Sequence, residues 1–266
     1  MTFPRSLRSR LITGTVLLTL CASAVAGDPS AIEAGSWQQS RQLVLVTVAD
    51  WNADHGVLNT FTRGRHGWVA AGISAPVTIG RNGAGWGLGL NAPLDDGPVK
   101  HEGDSRSPAG VFRIGQVFGY AASAATTMPY RALSATDYCV DVSGATHYNR
   151  IVDANVVGAA AVKGSTEPMR RDIHLDGDQH YRLGFEIEQN WQQKAGAGSC
   201  IFGHLWTSPT DTTVGCTAMA PAVMQSLVAW LKPQRKPIFV LLPQGAYLKV
   251  RAAWQLPAIA AQGSSR

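Results

Sequence analysis

The sequence predicts a single, mostly-β domain, and three of its features support this fold class. Apolar runs rich in β-branched residues, typical of buried strands, occur at Leu43–Val48 and Ile238–Leu242. The 28 glycines and 14 prolines favour frequent turns over long helices. The one predicted helix follows Pro221 and ends at Lys232-Pro233, because apolar residues recur there at helical spacing, at Val223, Met224, Leu227, Val228 and Leu231.

The other elements are placed by strand-forming residues between turn formers. In chain order, further strands are predicted at Gly56–Thr62, Gly67–Ala71, Pro76–Ile79, Val111–Ile114, Tyr181–Gln189 and Cys200–Trp206. Residues 80–105 are rich in glycine and charge and are predicted to form a loop. The stretch 120–180 gives only short candidate segments, at Cys139–Val142 and Ile151–Asp153. Its fold is therefore left open.

The first 26 residues have the features of an export signal. Arg5, Arg8 and Arg10 precede a short apolar run at Leu11–Leu20, and Ala24-Val25-Ala26 forms a small-x-small cleavage site before Gly27. A membrane anchor is the alternative, but the apolar run is about half of the roughly 20 residues that a spanning helix needs. Lipidation at Cys21 is disfavoured because Leu20 stands where a small residue is expected. We therefore predict a periplasmic or cell-wall-associated protein.

The charge balance gives no indication of a nucleic-acid partner, and none is expected. The predicted leader carries three arginines and no acidic residue, so its removal lowers the formal charge from +5 to +2. No stable membrane insertion is expected after cleavage. The mature chain is predicted to comprise a lead-in at 27–40, a catalytic domain at 41–243 and a C-terminal extension at 244–266.

The cysteines indicate a nucleophile. His204 lies four residues after Cys200 on the same predicted strand, so their side chains are about 13 Å apart at roughly 3.3 Å per residue and do not share a proton. Cys216 lies in a loop between that strand and the helix, and this loop can fold back onto His204. An imidazole and a helix N-terminus both favour a reactive thiolate. The alternative is that Cys216 and His204 are ordinary core residues.

Longer motifs favour the catalytic interpretation. Ile201–Trp206 and Thr213–Met219 resemble the His…Gly-Cys signature of the YkuD-type L,D-transpeptidase domain, in a divergent branch with Gly-Cys-Thr-Ala-Met at the nucleophile. The resemblance extends over roughly residues 40–243, through segments at Glu102–Phe112, Tyr138–Asp141, Tyr148–Asp153 and Met169–Asp172.

The resemblance implies a fold and a mechanism. It implies a YkuD-like β-sandwich or mixed sheet with one main helix after the catalytic cysteine. Cys216 is expected to attack a peptidoglycan stem peptide at an L-to-D linkage and form a thioester, with His204 as general base and without metal or cofactor. An amine from another stem then resolves the thioester. The family has His or Ser where Val214 stands, and Arg near Thr217 and Ala218, so acceptor and substrate preference are expected to differ.

Further site residues are expected around this pair. Backbone and side-chain groups of Thr213, Gly215 and Thr217 are candidates for oxyanion or substrate binding, and Arg171 is a candidate for binding a stem carboxylate, or else forms a surface ion pair. Residues Lys100–Asp104 either line the cleft or form a charged surface turn. Three cysteines in an oxidising compartment, with Cys200 excluded as the partner of His204, predict a Cys139–Cys200 disulfide and a free Cys216.

Three alternative functions stay open at this stage. The same Cys216 thioester, resolved by water, would make the protein an L,D-carboxypeptidase or another wall-amide hydrolase. A non-catalytic wall-binding module is the second alternative, which an intact Cys–His pair disfavours. A metal-dependent peptidase using His174, Asp176 and His180 is the third, and a solvated loop is the simpler interpretation of those residues.

Overall fold

The computed structural model describes residues 1–2, 36–94 and 96–259, and its main elements are strands. The strands are β1 (Gln42–Val48), β2 (His55–Gly64), β3 (Gly67–Thr78), β4 (Ala84–Trp86), β5 (Ser107–Gly119), β6 (Tyr130–Ala132), β7 (Asp137–Cys139), β8 (Ile151–Asp153), β9 (Glu167–Pro168), β10 (Leu183–Ile187), β11 (Phe202–Leu205), β12 (Thr217–Met219) and β13 (Ile238–Pro243). The α-helices are α1 (Ala154–Val157), α2 (Arg171–His174), α3 (Pro221–Trp230) and α4 (Gln244–Val250). Short 3-10 turns lie at Ser36–Gln39, Ala159–Val162 and Pro233–Arg235. The predicted mostly-β class is confirmed.

The main sheet closes on itself in a barrel-like ring. Its order is β10-β11-β12-β3-β2-β1-β13-β5, and β5 also pairs with β10, which closes the ring. Strands β4 and β6 extend the sheet as additional partners of β5. Closure leaves the ring strands paired on both sides, which removes exposed sheet edges.

The centre of the sheet follows from the two apolar runs in the sequence. Strands β1 and β13 pair in parallel, with Leu43 opposite Ile238 and Val46 opposite Leu241. Every residue of both strands is buried. A strand buried on both faces needs a continuous apolar run, and this explains the absence of polar alternation in either segment.

One pair of predicted strands and one predicted loop differ from the structure. The predicted strands Gly67–Ala71 and Pro76–Ile79 belong to one long strand, β3, which continues through Gly72 at a φ of +95°. A register shift between Asn59 and Phe61 of β2 accommodates this kink. In addition, β4 lies inside the predicted loop 80–105. Strand β4 is defined by its parallel pairing with β5. Its glycine-rich sequence does not by itself predict a strand.

The stretch that the sequence left open contains a second, three-stranded sheet. Its order is β8-β7-β9, and both pairings are antiparallel. It places Cys139 on β7 and Glu167 on β9, and α2 follows directly after β9. The candidate segment Ile151–Asp153 coincides with β8, and Cys139–Val142 overlaps the end of β7. Strands of three residues or fewer show no periodicity, which explains why β9 and the sheet were not predicted.

The segments on both sides of the predicted catalytic domain take part in the core. Trp37 of the lead-in and Tyr247, Val250 and Leu256 of the C-terminal extension belong to the main hydrophobic cluster. The rings of Trp37 and Trp254 meet edge to face at 5.9 Å. The predicted boundaries at 40 and 243 therefore do not separate these segments from the core. The predicted leader lies outside the described residues, except for Met1 and Thr2.

Helix α3 occupies the predicted position after Cys216. Pro221 is its first residue. The backbone N–H groups of the first turn have no carbonyl partner within a helix, so proline, which lacks an N–H, is tolerated there. Its buried face consists of Met224, Leu227 and Val228. None of the helices in the described part of the chain is long and apolar enough to cross a membrane.

Helix α4 gives a direct test of whether the C-terminal extension stabilises the domain. Tyr247 is 1% exposed and Leu248 is 63% exposed. Tyr247→Ala is expected to lower the free energy of unfolding by about 3–5 kcal/mol because it leaves a cavity in the core. Leu248→Ala, the matched control, is expected to change it by less than about 0.5 kcal/mol. Urea unfolding measures both, and equal effects would contradict this packing.

Candidate active site

A cavity of about 440 Å³ contains both predicted catalytic residues. Cys216 and His204 line it, together with residues of the loops that precede β11 and β12. Strands β11 and β12 are neighbours and run parallel, with His204 opposite Ala218. Cys216 immediately precedes β12, so the loop between the strands returns the thiol to the strand that carries the imidazole.

The Cys216 thiol is buried and contacts backbone groups. Its side chain is 6% exposed, and it is the free cysteine of the described chain. The Phe202 N–H points at Sγ from 3.4 Å, and Sγ lies 3.5 Å from the carbonyl oxygen of Cys200. The residues on either side of Ile201 therefore hold the sulfur in place. An N–H donor at Sγ favours the thiolate once it forms.

His204 is held in one tautomer. Its Nδ1 lies 2.7 Å from the carbonyl oxygen of Leu205, so Nδ1 carries the proton and donates it. Nε2 therefore keeps its lone pair, as a general base requires. The rings of Tyr181 and His180 meet the imidazole edge to face, each at 5.5 Å between centroids.

Burial makes both members of the pair neutral at rest. It raises the pKa of the Cys216 thiol to about 12, and the Glu167 carboxylate adds to this effect. Burial also lowers the pKa of His204 to about 4, against the hydrogen bond to Leu205, which raises it. At neutral pH the proton therefore stays on sulfur. The thiolate expected from the sequence is not the resting state, because two charges in this cavity would lack solvation.

The predicted oxyanion loop is held by its own hydroxyl groups. Thr213 Oγ1 donates to the Cys216 carbonyl at 2.7 Å and accepts from the Gly215 N–H at 3.1 Å. Ser107 Oγ lies 2.7 Å from the Gly215 carbonyl oxygen and 3.0 Å from that of Cys216. The Gly215 N–H is therefore occupied in this arrangement. Thr217 is buried in β12 and is not among the residues that line this cavity.

Gly215 has a local reason to be glycine. Its φ of +156° is rare for residues with a side chain. A Cβ there would also lie 3.1 Å from Ile201 Cδ1 and 3.3 Å from the Arg106 carbonyl oxygen. The turn that places Cys216 at the cavity therefore favours glycine at position 215.

Arg171 lines the cavity, but its charge is already compensated. It donates to Glu167 at 2.8 Å and to Asp178 at 2.9 Å, and Tyr181 donates its hydroxyl to the same Glu167 oxygen at 2.9 Å. A substrate carboxylate would have to compete with two resident carboxylates. The sequence pointed to Arg171 but missed Glu167 and Tyr181. The i,i+4 spacing of Glu167 and Arg171 was the sequence signal that could have predicted their ion pair.

The Lys100–Asp104 turn lines the cavity, as the first of its two interpretations predicted. Lys100, Glu102 and Gly103 are among the lining residues. Lys100 is 4% exposed, and its ammonium group pairs with Asp104 and donates to the His101 carbonyl at 2.7 Å. A buried lysine needs such a partner, and the i,i+4 spacing supplies it.

The cysteines pair as the sequence predicts. Cys139 and Cys200 form a disulfide, and Cys216 is free. The bond joins β7 of the small sheet to the residue whose carbonyl contacts Cys216 Sγ. Cys200 has a φ of +55°, and its N–H donates to the Asn149 side chain at 2.8 Å. The disulfide thus fixes the backbone beside the nucleophile.

The histidines of the candidate metal cluster have separate partners. His174 Nε2 lies 2.8 Å from the Ala135 carbonyl oxygen, whereas His180 Nδ1 lies 2.5 Å from Asp178 and its ring faces His204. Across the described residues, no group of three or more His, Cys, Asp and Glu side chains is arranged to hold a metal ion.

The comparisons with family models, curated proteins and solved structures returned no match.

Thiol reactivity tests this electrostatic environment without any substrate. In the chain from Gly27 onward, one thiol is expected to react before reduction and three after reduction and denaturation. At neutral pH, native Cys216 is expected to react with iodoacetamide about 100-fold or more slowly than free cysteine, because its pKa is raised. The rate should continue to rise above pH 9. A plateau near pH 8.5, or labelling of Cys139, would contradict the structure.

Proposed function

We propose that this chain is an exported cysteine acyltransferase of the L,D-transpeptidase kind that acts on peptidoglycan stem peptides. Cys216 is its nucleophile and His204 its general base. One observation carries the proposal: the free thiol and an imidazole of fixed tautomer line the same cavity. Thioester chemistry requires a nucleophile and a base that act on the same carbonyl group, and a shared cavity supports this assignment.

The positions of the other matching segments support the resemblance. Glu102, Asp141 and Arg171 come from three separate matching segments and all line the cavity with Cys216. Tyr148, from a fourth, donates to Glu102. Residues that are distant in sequence but meet at one site are expected when the motifs belong to one active site. A YkuD-like fold is part of the proposal.

The neutral resting pair dictates the order of the chemical steps. As Cys216 Sγ attacks the stem carbonyl, its proton passes to His204 Nε2. The carbon–nitrogen bond then breaks, and His204 returns the proton to the departing amine, which leaves a thioester. An acceptor amine attacks this thioester, loses a proton to His204, and releases Sγ, which is protonated again. His204 is thus neutral before and after each acyl transfer.

The location of the reaction is also part of the proposal. Removal of residues 1–26 would release the mature protein to the periplasm or the cell wall. The Cys139–Cys200 disulfide favours such an oxidising compartment.

A hydrolase is the second candidate, with the same acyl-enzyme and water as acceptor. Val214 is exposed and stands where the family has His or Ser, so the preference for an amine acceptor is expected to differ from that of the family. This departure supports the hydrolase as an alternative. The cavity also presents Ala218 near the expected position of the family arginine.

Purified muropeptides, followed by mass spectrometry, test the reaction directly. Crosslinked or exchanged products support the transferase, and trimmed stems alone support the hydrolase. Cys216→Ala and His204→Ala are each expected to lower turnover by about 1,000-fold or more, and the double variant should be little worse. His174→Ala, which removes a histidine outside the cavity, is the matched control. Substantial turnover by Cys216→Ala would rule out the proposed nucleophile.

Acylation by a carbapenem tests the nucleophile and its base separately from the acceptor. The resemblance implies that the β-lactam adds its whole mass to Cys216, without a metal. Because the pKa of His204 is lowered to about 4, the imidazole stays neutral down to that pH, and the acylation rate should fall only near pH 4. A midpoint near 6.5, or an adduct on another residue, would contradict this site.

A further inference from the structure

Glu102 is held rigidly at the cavity wall. Its Oε2 accepts hydrogen bonds from the hydroxyls of Tyr148 and of Ser199, the latter at 2.8 Å. Its backbone N–H donates to the Gly196 carbonyl at 2.9 Å. Tyr148 is 1% exposed and Ser199 is 7% exposed, so both donors are fixed by packing. The carboxylate therefore has a defined position before any ligand enters.

The charge of Glu102 is not compensated by a resident cation. Elsewhere around the cavity, Lys100 pairs with Asp104, and Arg171 pairs with Glu167 and Asp178. Glu102 forms no ion pair within the part of the chain that the structure describes. Over the same residues, its second oxygen, Oε1, accepts no hydrogen bond. An ionised carboxylate has acceptor sites on both oxygens, so Oε1 is free for a donor in the cavity.

Glu102 lies in the same cavity as the candidate nucleophile, so a donor bound to Glu102 would be close to the proposed reaction. Ser199, which binds Glu102, immediately precedes Cys200, whose carbonyl oxygen lies 3.5 Å from Cys216 Sγ. Glu102 and Cys216 therefore line the same cavity and are linked through Ser199 and Cys200. A cationic group bound to Glu102 would share this cavity with the thioester that Cys216 would carry.

We propose that Glu102 binds the ammonium group of the amine acceptor and selects amines over water for resolution of the thioester. This inference rests on the proposed function. One ammonium proton passes to solvent before attack, and the amine nitrogen then forms its bond to the thioester carbon as the carbon–sulfur bond breaks. The second proton passes through His204 to the departing Cys216 Sγ. A carboxylate and an ammonium form a charge-assisted pair, which is stronger in a partly enclosed cavity than in water.

A purely structural role for Glu102 makes a different prediction. Holding Tyr148 and Ser199 uses only one oxygen, and Glu102→Gln keeps a carbonyl oxygen that accepts from both hydroxyls. If Glu102 only held these residues, the substitution would not distinguish charged from neutral ligands.

Binding is tested first, without any chemistry, in the Cys216→Ala background. The probe is Nα-acetyl-lysine methylamide, whose only charge is an ammonium group, and the neutral comparison is Nα-acetyl-norleucine methylamide. Titration followed by NMR is expected to show that Glu102→Gln weakens binding of the lysine derivative by about tenfold. Binding of the norleucine derivative should not change. Glu188→Gln, the same substitution outside this cavity, is the matched control. Equal affinity of the lysine derivative with and without Glu102→Gln would overturn the inference.

Partitioning of the acyl-enzyme is tested next, in the protein with Cys216 intact. After acylation, the ratio of transfer to the lysine derivative over hydrolysis should fall about tenfold in Glu102→Gln. Transfer to hydroxylamine, which is neutral at neutral pH, should keep its ratio. An unchanged lysine ratio would overturn the role of Glu102 and leave the proposed function intact. Absence of any adduct on Cys216 would instead overturn the proposed function, and the NMR titration would still decide whether Glu102 binds an ammonium group.

Discussion

The parallel pairing of β11 with β12 is the constraint on which the candidate site depends. Parallel neighbours need a crossover connection, and here it is the loop from Trp206 to Cys216. The pairing brings the end of that loop beside the strand that carries His204. The same two strands are links in the closed ring of the sheet. Sheet closure and active-site assembly therefore rest on the same backbone hydrogen bonds.

Burial sets the chemistry of the pair that this constraint assembles. The pKa of Cys216 is raised and that of His204 is lowered, so the separated charges are disfavoured until a substrate arrives. A neutral thiol is protected from oxidants, because the thiolate is the reactive species. In the proposed mechanism, proton transfer during attack replaces a preformed ion pair, and the fixed tautomer of His204 leaves Nε2 able to accept the proton.

The small sheet links these features to the cavity wall. It supplies Cys139 for the disulfide and Glu167 for the Arg171 network, and the segment between its strands supplies Tyr148, which holds Glu102. Two cations that line the cavity, Lys100 and Arg171, are paired with carboxylates. Within the described part of the chain, the Glu102 side chain accepts hydrogen bonds from hydroxyl groups and forms no ion pair, and this leaves it as a charge for a ligand to neutralise.

The sequence by itself determined the mostly-β class, the helix after Cys216 and the identity of the candidate nucleophile and base. Those predictions rest on long apolar runs, helical spacing and motif residues, which are local properties. Only the tertiary structure decided that β3 is one strand, that 120–180 contains a sheet, and that α4 belongs to the core. It also decided the neutral resting pair and the free oxygen of Glu102. Burial and pairing between distant segments set these properties, and neither is encoded in the spacing of neighbouring residues.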